Sequence, residues 1–172
     1  MNYGNIKFYD IANGPGVRVT LWVSGCENHC KGCFQPETWD YDYGKRIDSD
    51  VMKQIEDGLK KDYISGFTLL GGDPFAPKNI NDTHQLLKDI RRIIPRDTGK
   101  TIWVYTGYVY EYIHREHKEL LEDIDILVDG PFVLEEKDIS LVFRGSKNQR
   151  IIDINKSRNG IAFEVQDEYD KK

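Results

Sequence analysis

The chain has 172 residues, and its 24 Lys and Arg against 29 Asp and Glu give a formal net charge of −5. A hydrophobic fraction of 39% excludes a disordered chain, and the length is typical of one domain over 1–172. The acidic balance argues against general binding to nucleic acid, and no apolar run approaches the roughly 20 residues of a membrane span. Without a recognisable secretory signal, a soluble cytoplasmic protein is expected.

The first half of the chain predicts alternating strands and helices. A turn cluster at 13–16 precedes a strand with alternating side chains over Val17–Val23. The spacing of apolar residues then predicts a helix over 49–61 and a short buried strand over Phe67–Leu70, which ends at two glycines. A second helix is predicted over 81–94.

The alternation continues with a strand over Thr101–Tyr105, a helix over Tyr110–Leu121 and a strand over Ile124–Val128. Repeated strand–helix units imply right-handed crossovers and a mostly parallel α/β sheet. Such sheets place their sites at the carboxyl ends of the strands. We therefore expect one rim to collect the motifs that follow the strands, at Ser24-Gly25-Cys26, Gly71-Gly72-Asp73-Pro74, Thr106-Gly107-Tyr108 and Asp129-Gly130-Pro131.

The pattern weakens towards the C-terminus. Three short strands are predicted there, over Leu141–Phe143, Arg150–Ile154 and Ile161–Val165. The folded core is expected to span about 13–155, and the charged tail over about 166–172 is expected to fray.

The three cysteines, Cys26, Cys30 and Cys33, all lie within eight residues in a C-x3-C-x2-C pattern. An odd number so closely clustered is a poor disulfide framework and indicates a metal site. One alternative is a zinc-binding module that adds His29, although its adjacency to Cys30 makes joint ligation of one ion difficult. The other is a [4Fe–4S] cluster in which three irons are bound by cysteine and the fourth stays open, because the chain has no fourth cysteine.

The cysteine loop and the motifs around it resemble those of the radical S-adenosylmethionine (SAM) enzymes. Among these enzymes the chain is most similar to the anaerobic ribonucleoside-triphosphate reductase-activating proteins. The resemblance implies an incomplete, open (β/α) barrel of the radical SAM type with a mostly parallel sheet. The blocks that carry it are Asn13-Gly14-Pro15-Gly16, Val23-Ser24-Gly25-Cys26, Cys33-Phe34, Gly71-Gly72-Asp73-Pro74, Trp103–Tyr108, Leu127–Phe132, Phe143–Ser146 and Asn148-Gln149-Arg150.

The resemblance also implies a mechanism. Cys26, Cys30 and Cys33 would ligate the [4Fe–4S] cluster, and the amino and carboxylate groups of SAM would chelate the open iron. An electron from reduced flavodoxin or ferredoxin would cleave SAM to a 5′-deoxyadenosyl radical, which would take hydrogen from a glycine of the anaerobic ribonucleoside-triphosphate reductase. Two alternatives keep this chemistry and change the target: another glycyl-radical enzyme such as pyruvate formate-lyase, or a small molecule.

By the same resemblance, Gly71, Gly72 and Asp73 receive the amino group of SAM. The backbone at Gly32, Cys33 and Phe34 is the expected contact for the adenine. Many relatives have an aromatic residue just before the third cysteine, where this chain has glycine, so the side chain that covers the adenine stays open.

Three further features each keep two interpretations. Thr106 and Asp129 end strands, so they either help to orient SAM or a monovalent cation, or belong to simple turns. The basic stretch Arg144–Arg150 either docks the partner or forms a turn.

Overall fold

The computed structural model describes residues 1–170, which form a mixed α/β fold around one seven-stranded sheet. None of the helices in this part of the chain is both long and apolar enough to cross a bilayer. The elements in chain order are β1 (Asn2–Asp10), β2 (Val17–Val23), β3 (Lys45–Arg46), α1 (Ser49–Leu59), β4 (Ile64–Gly71), α2 (Ile80–Ile93), β5 (Thr101–Tyr105), α3 (Tyr110–Glu116), β6 (Ile126–Asp129), β7 (Arg150–Asp153) and α4 (Gln166–Asp170).

The strand order is β3-β1-β2-β4-β5-β6-β7. The four central strands β2, β4, β5 and β6 are parallel, whereas β1, β3 and β7 join by antiparallel pairing. Because β3 and β7 form the two edges, the sheet stays open. This arrangement confirms the predicted incomplete (β/α) barrel with a mostly parallel sheet.

The alternation of side chains along the strands gives the sheet two different faces. On the helix side, Leu21, Leu69 and Val104 belong to one buried cluster with Ile55 of α1 and Leu87 of α2. The other face bears the larger aromatic side chains, and it includes a second cluster around Trp103, Val128 and Ile151. The helices therefore cover one face and leave the carboxyl ends of the strands accessible.

The strongly patterned elements match their predictions closely. The strands β2 and β5 have the predicted bounds, and both long helices lie within two residues of theirs at each end. Helix α1 begins where expected because the carboxylate of Asp48 accepts a hydrogen bond from the backbone N–H of Val51 at 2.9 Å.

Other segments differ from the prediction. No element was expected over residues 2–10, yet β1 occupies them with Ile6 and Phe8 turned inward. The predicted helix over 110–121 ends at Glu116, and a 3₁₀ helix follows over Lys118–Asp123. The break lies at His117, whose φ of −146° and ψ of 44° leave the helical region.

The predicted C-terminal strands are only partly correct. Residues 150–153 do form β7, but strands over 141–143 and 161–165 are wrong. Phe143 has a φ of 58°, which no strand accommodates, and its ring packs against Trp103 instead. Residues 166–170 of the expected tail form α4, whose Tyr169 also packs on Trp103, while 171 and 172 lie outside the described residues.

A fully buried arginine, Arg18 of β2, lies on the aromatic face of the sheet. Arg18 donates hydrogen bonds to Thr68 Oγ1 at 2.7 Å and to the carbonyl oxygens of Phe67 and Thr101 at 2.8 Å. Burial lowers its pKa to about 10, which still leaves the guanidinium charged at neutral pH. Its guanidinium carbon lies 5.5 Å from the ring centroid of Trp103, so the cation is stabilised by carbonyl dipoles and an aromatic face rather than by an ion pair.

Candidate active site

The carboxyl ends of the parallel strands meet at a cavity of about 560 Å³. Its lining includes all three cysteines and residues from the ends of β4, β5 and β6: Cys26, Cys30, Cys33, Gly71, Gly72, Asp73, Thr106, Gly107 and Gly130. The prediction that the strand-end motifs share one rim is thereby confirmed. The volume is within the range usual for small-molecule and cofactor sites.

The cysteine loop leaves β2 and folds back over the cavity. Cys26 is buried, Cys30 and Cys33 are half-buried, and all three are free thiols. The loop turns through the left-handed backbone of His29, at φ 44°, and Gly32, at φ 75°. A hydrogen bond of 3.0 Å from the Cys33 N–H to the Cys30 carbonyl closes the turn.

Burial raises the pKa of Cys26 and that of Cys30. Backbone N–H groups oppose the rise: those of Asn28 and His29 at Cys26, and that of Phe132 at Cys30. N–H groups directed at a cysteine sulfur stabilise its thiolate, which is the form that ligates a metal.

The residues fit an iron–sulfur cluster with a polar ligand beside it. Three soft donors come from one short loop at the cavity. The same cavity is lined by Tyr105 and Arg144, whose hydroxyl oxygen and Nε are buried without a hydrogen-bond partner among residues 1–170. Buried donors are normally paired, so a ligand oxygen would satisfy them.

The position of His29 argues against the zinc alternative, which needs this residue as a fourth ligand beside the three cysteines. The ring of His29 instead stacks on Trp39, with 4.7 Å between the ring centroids.

Asp73 ties the strand ends together. Its Oδ2 accepts hydrogen bonds from Asn28 Nδ2 at 2.8 Å and the Gly107 N–H at 2.9 Å. Its Oδ1 accepts from Thr106 Oγ1 at 2.8 Å and the Phe75 N–H at 2.9 Å. Burial raises the pKa of Asp73, and these four donors oppose that rise. Because both oxygens are fully used, the carboxylate orders the rim. The N–H groups of Gly72 and Asp73 are also paired, so a ligand would meet backbone carbonyl groups of this segment.

The two glycines before Asp73 let the end of β4 lie directly against the cysteine loop. A Cβ on Gly72 would lie 2.5 Å from the carbonyl oxygen of Gly25, and one on Gly71 would lie 2.5 Å from the Val23 nitrogen. The Asp73 N–H also donates to the Gly25 carbonyl at 2.8 Å. Both positions therefore require glycine for close backbone approach.

The predicted adenine contacts divide into two groups. Cys33 and Phe34 line the cavity, whereas Gly32 lies outside the lining and faces Leu134. Phe34 is 65% exposed and packs on Phe132 at a centroid distance of 5.1 Å. An aromatic pair therefore stands at the cavity just after the third cysteine, although the usual aromatic before it is missing.

Thr106 and Asp129 have different roles. Thr106 lines the cavity and bonds to Asp73, so it belongs to the rim. Asp129 is fully buried, outside the lining, and accepts from the Tyr110 N–H at 2.7 Å and Arg150 Nε at 3.0 Å. These bonds join β6, α3 and β7, which is a structural role.

The basic stretch over Arg144–Arg150 is a closed turn. The side-chain oxygen of Gln149 accepts from the N–H groups of Gly145 at 2.8 Å and Ser146 at 3.2 Å. The terminal arginines pair with Asp170 and Asp129 respectively. Most of the positive charge is thus neutralised within the fold.

Comparisons with known proteins agree with this geometry. A family profile described as "4Fe-4S single cluster domain" matches residues 12–152. Proteins named "Anaerobic ribonucleoside-triphosphate reductase-activating protein" are 41% identical in Haemophilus influenzae, over 88% of this chain and 97% of theirs, and 42% identical in Escherichia coli, over 87% and 96%. The protein of the same name in Vibrio cholerae is 40% identical over 88% and 97%.

The chain belongs to the family of anaerobic ribonucleoside-triphosphate reductase-activating proteins. The matched residues run from the turn before β2 into β7, so they include the cysteine loop and every strand end around the cavity. The cofactor of this activating-protein domain is a single [4Fe–4S] cluster, and the C-x3-C-x2-C loop holds the chain's three cysteines. SAM as the second cofactor follows from the radical SAM family.

Proposed function

We propose that this protein activates an anaerobic ribonucleoside-triphosphate reductase by generating a glycyl radical on it. The observation that supports this most strongly is the cavity itself, where one loop presents three free cysteines beside two strand-end glycines. Three thiolates leave one cluster iron without a protein ligand. The chemistry that a bound cluster supplies is one-electron reduction of SAM, which yields a carbon radical able to remove hydrogen from glycine.

The role of the protein is to bind and orient the cluster and SAM. Cys26, Cys30 and Cys33 would ligate the cluster, and the backbone of Gly71 and Gly72, with Asp73 ordering it, would receive the amino group of SAM. The backbone at Gly32, Cys33 and Phe34 would contact the adenine, with the Phe34–Phe132 pair as its aromatic neighbour. The buried Tyr105 hydroxyl and Arg144 Nε offer further donors to oxygen atoms of the ligand.

The open sheet suits a macromolecular substrate. A closed barrel would surround its cavity, whereas here β3 and β7 are unjoined edges and Phe34 is exposed at the cavity. A glycine-bearing loop of the reductase could therefore approach the radical from the open side. Reduced flavodoxin or ferredoxin is the proposed electron donor. A cytoplasmic location fits three free thiols, because reducing compartments preserve them.

The direct test is an anaerobic assay with the reconstituted protein, a reductant, SAM and the reductase, followed by electron paramagnetic resonance (EPR). We expect a glycyl doublet on the reductase that disappears in a Cys30→Ala variant. Pyruvate formate-lyase serves as the comparison substrate. A doublet on that enzyme alone would contradict the proposed target, and no doublet on either would contradict the proposed reaction.

A further inference from the structure

Asn79 joins the cysteine loop to the segment after β4 from a position outside the cavity lining. It immediately precedes α2 and is almost fully buried. Its Nδ2 donates hydrogen bonds to the carbonyl oxygens of Ser24 at 2.9 Å, Gly25 at 3.3 Å and Asp73 at 3.0 Å. A single planar amide therefore holds the backbone on both sides of the contact between the loop after β2 and the loop after β4.

Backbone hydrogen bonds bring the same two segments together. The Gly72 N–H donates to the Val23 carbonyl at 2.7 Å, and the Asp73 N–H donates to the Gly25 carbonyl at 2.8 Å. The Gly25 carbonyl thus accepts from the backbone and also from the side chain of Asn79. Asn79 therefore reinforces a junction at which the cysteine loop and the glycine pair already share backbone hydrogen bonds.

Side chains at the start of α2 occupy the carbonyl groups that follow the glycine pair. Asn79 bonds to the Asp73 carbonyl, and Thr83 Oγ1 donates to the Pro74 carbonyl at 2.7 Å. No donor among residues 1–170 bonds to the carbonyl oxygen of Gly72, and Gly72 lines the cavity. An amino group donates hydrogen bonds, so a carbonyl that is left free at the cavity is a suitable acceptor for it.

We propose that Asn79 is a positioning residue for SAM, which acts by fixing the backbone of Gly72 relative to the cysteine loop. This inference rests on the proposed function, because it needs SAM to bind at Gly71–Asp73 beside the cluster. Without the amide, the carbonyl oxygens of both segments would lose a buried donor, and the backbone would shift to regain hydrogen bonds. Groups that orient metal ligands commonly change affinity or activity by about 10- to 100-fold when they are removed.

The experiment compares the wild type with Asn79→Ser, Asn79→Asp and the control Thr83→Val, all reconstituted anaerobically. Serine and aspartate are both favoured before a helix, so α2 should still form, but serine is too short to bridge the two segments and aspartate has no N–H donor. Thr83→Val removes a buried hydrogen bond to the carbonyl of Pro74, one residue beyond the junction. The measurements are the iron content, the dissociation constant of SAM, and kcat for 5′-deoxyadenosine formation at saturating SAM.

We expect Asn79→Ser to raise the dissociation constant of SAM about tenfold, while the iron content and kcat at saturating SAM stay near their wild-type values. Asn79→Asp should raise the dissociation constant further, because its carboxylate would lie against carbonyl oxygens. Thr83→Val should bind SAM as tightly as the wild type, although it loses a buried hydrogen bond of the same kind.

The inference is overturned if both Asn79 variants keep the wild-type affinity for SAM, or if Thr83→Val weakens SAM binding equally. A purely structural role would lower the iron content or kcat and leave the dissociation constant of SAM unchanged, and that result would also overturn it, as would loss of the cluster in both Asn79 variants. Failure of the proposed function looks different, because the wild-type protein itself would then not assemble a cluster or bind SAM.

Discussion

At the scale of single residues, the two ends of the sheet use buried aspartates differently. Asp73 lies at the carboxyl end and orders the site, whereas Asp125 lies at the opposite end and supports the fold. Asp125 Oδ2 accepts from Arg91 Nη2 at 2.7 Å and from the Ile102 N–H at 2.8 Å, and Arg96 pairs with its other oxygen. The stabilising ion pairs thus lie at one end of the sheet and leave the other end free for chemistry, as in (β/α) barrels.

Asp125 predicts a specific pH dependence of stability. Burial alone would raise its pKa, but the hydrogen bonds from Arg91 and Ile102 outweigh burial and lower it. The ionised carboxylate therefore stabilises the fold fully above its unfolded pKa of about 3.9, and this contribution is lost as the pH falls from that value through the lower pKa of the folded protein. We expect Asp125→Asn to lower the free energy of unfolding by about 3 kcal/mol at pH 7 and by progressively less as the pH falls below about 3.9.

The measurement is denaturant unfolding at several pH values, with Asp97→Asn as the control. Asp97 is exposed, so its replacement should change stability by no more than about 0.5 kcal/mol at any pH. An Asp125→Asn variant as stable as the wild type at pH 7 would show that the buried ion pairs contribute nothing net.

A substitution at Gly72 is predicted to weaken SAM binding without preventing cluster assembly. In Gly72→Ala the new Cβ meets backbone oxygens of Gly25 and Thr38 at 2.5 Å and 2.7 Å, so the end of β4 must move away from the cysteine loop. We expect the iron content to stay at the wild-type level and the affinity for SAM to fall roughly tenfold, by analogy with the loss of other ligand-orienting groups. Iron analysis and equilibrium binding test both parts. Gly99→Ala is the control: its Cβ meets nothing within 4 Å, and the backbone strain of a side chain at its φ of 72° arises before β5, at the end of the sheet opposite the cavity. A similar loss of affinity in that variant would refute the explanation.

Residue types and spacing predict which residues form the site better than they predict the role and contacts of each residue. The three cysteines, the glycine pair and Asp73 were all predicted at the rim, and all line the cavity. The partners of Asn28 and Arg18 were not predictable, since they come from strands that are distant in sequence. For Asp129 the sequence left a ligand role and a simple turn open, and its hydrogen bonds from Tyr110 and Arg150 give it a structural role that neither alternative described.

At the scale of elements, periodicity correctly predicted the strands that have a continuous apolar or alternating pattern. β2 and β5 follow from alternating or uniformly apolar runs with clear turns beside them. β1 was missed because its outward side chains are mixed and its inward ones only half-buried. In the segment 141–143, Phe143 packs on Trp103 and Leu141 lines the cavity, so these apolar residues do not pair in a sheet and composition alone suggested a strand that does not form.

The short helix α4 predicts a measurable contribution to stability. Tyr169 packs edge-on against both Trp103 and Phe143, with 5.6 Å between ring centroids in each pair. We expect Tyr169→Ala to lower the free energy of unfolding by roughly 1–3 kcal/mol, less than for a fully buried aromatic. Thermal unfolding of Tyr63→Ala is the matched control, because that ring stacks on Tyr9 but is 53% exposed. Equal effects of the two substitutions would mean that α4 adds no packing of its own.

At the scale of the whole molecule, the order of the elements explains why the site forms. Each crossover starts the next parallel strand from the same end of the sheet. The loops after β2, β4, β5 and β6 therefore converge at the carboxyl ends of these strands, although they are far apart in sequence. The strands at the margins, β1 and β3 on one side and β7 on the other, pair antiparallel, and the sheet ends before it closes. An unclosed barrel of this kind leaves a side through which another protein can reach a cofactor.

The most direct measurement is an EPR spectrum of the reduced, anaerobically reconstituted protein, recorded before and after SAM is added. Coordination of SAM at an iron that has no protein ligand predicts about four irons per chain and a cluster signal that changes shape on addition. A preparation that stays colourless and iron-free without oxygen, or a cluster spectrum that SAM leaves unchanged, would contradict the account.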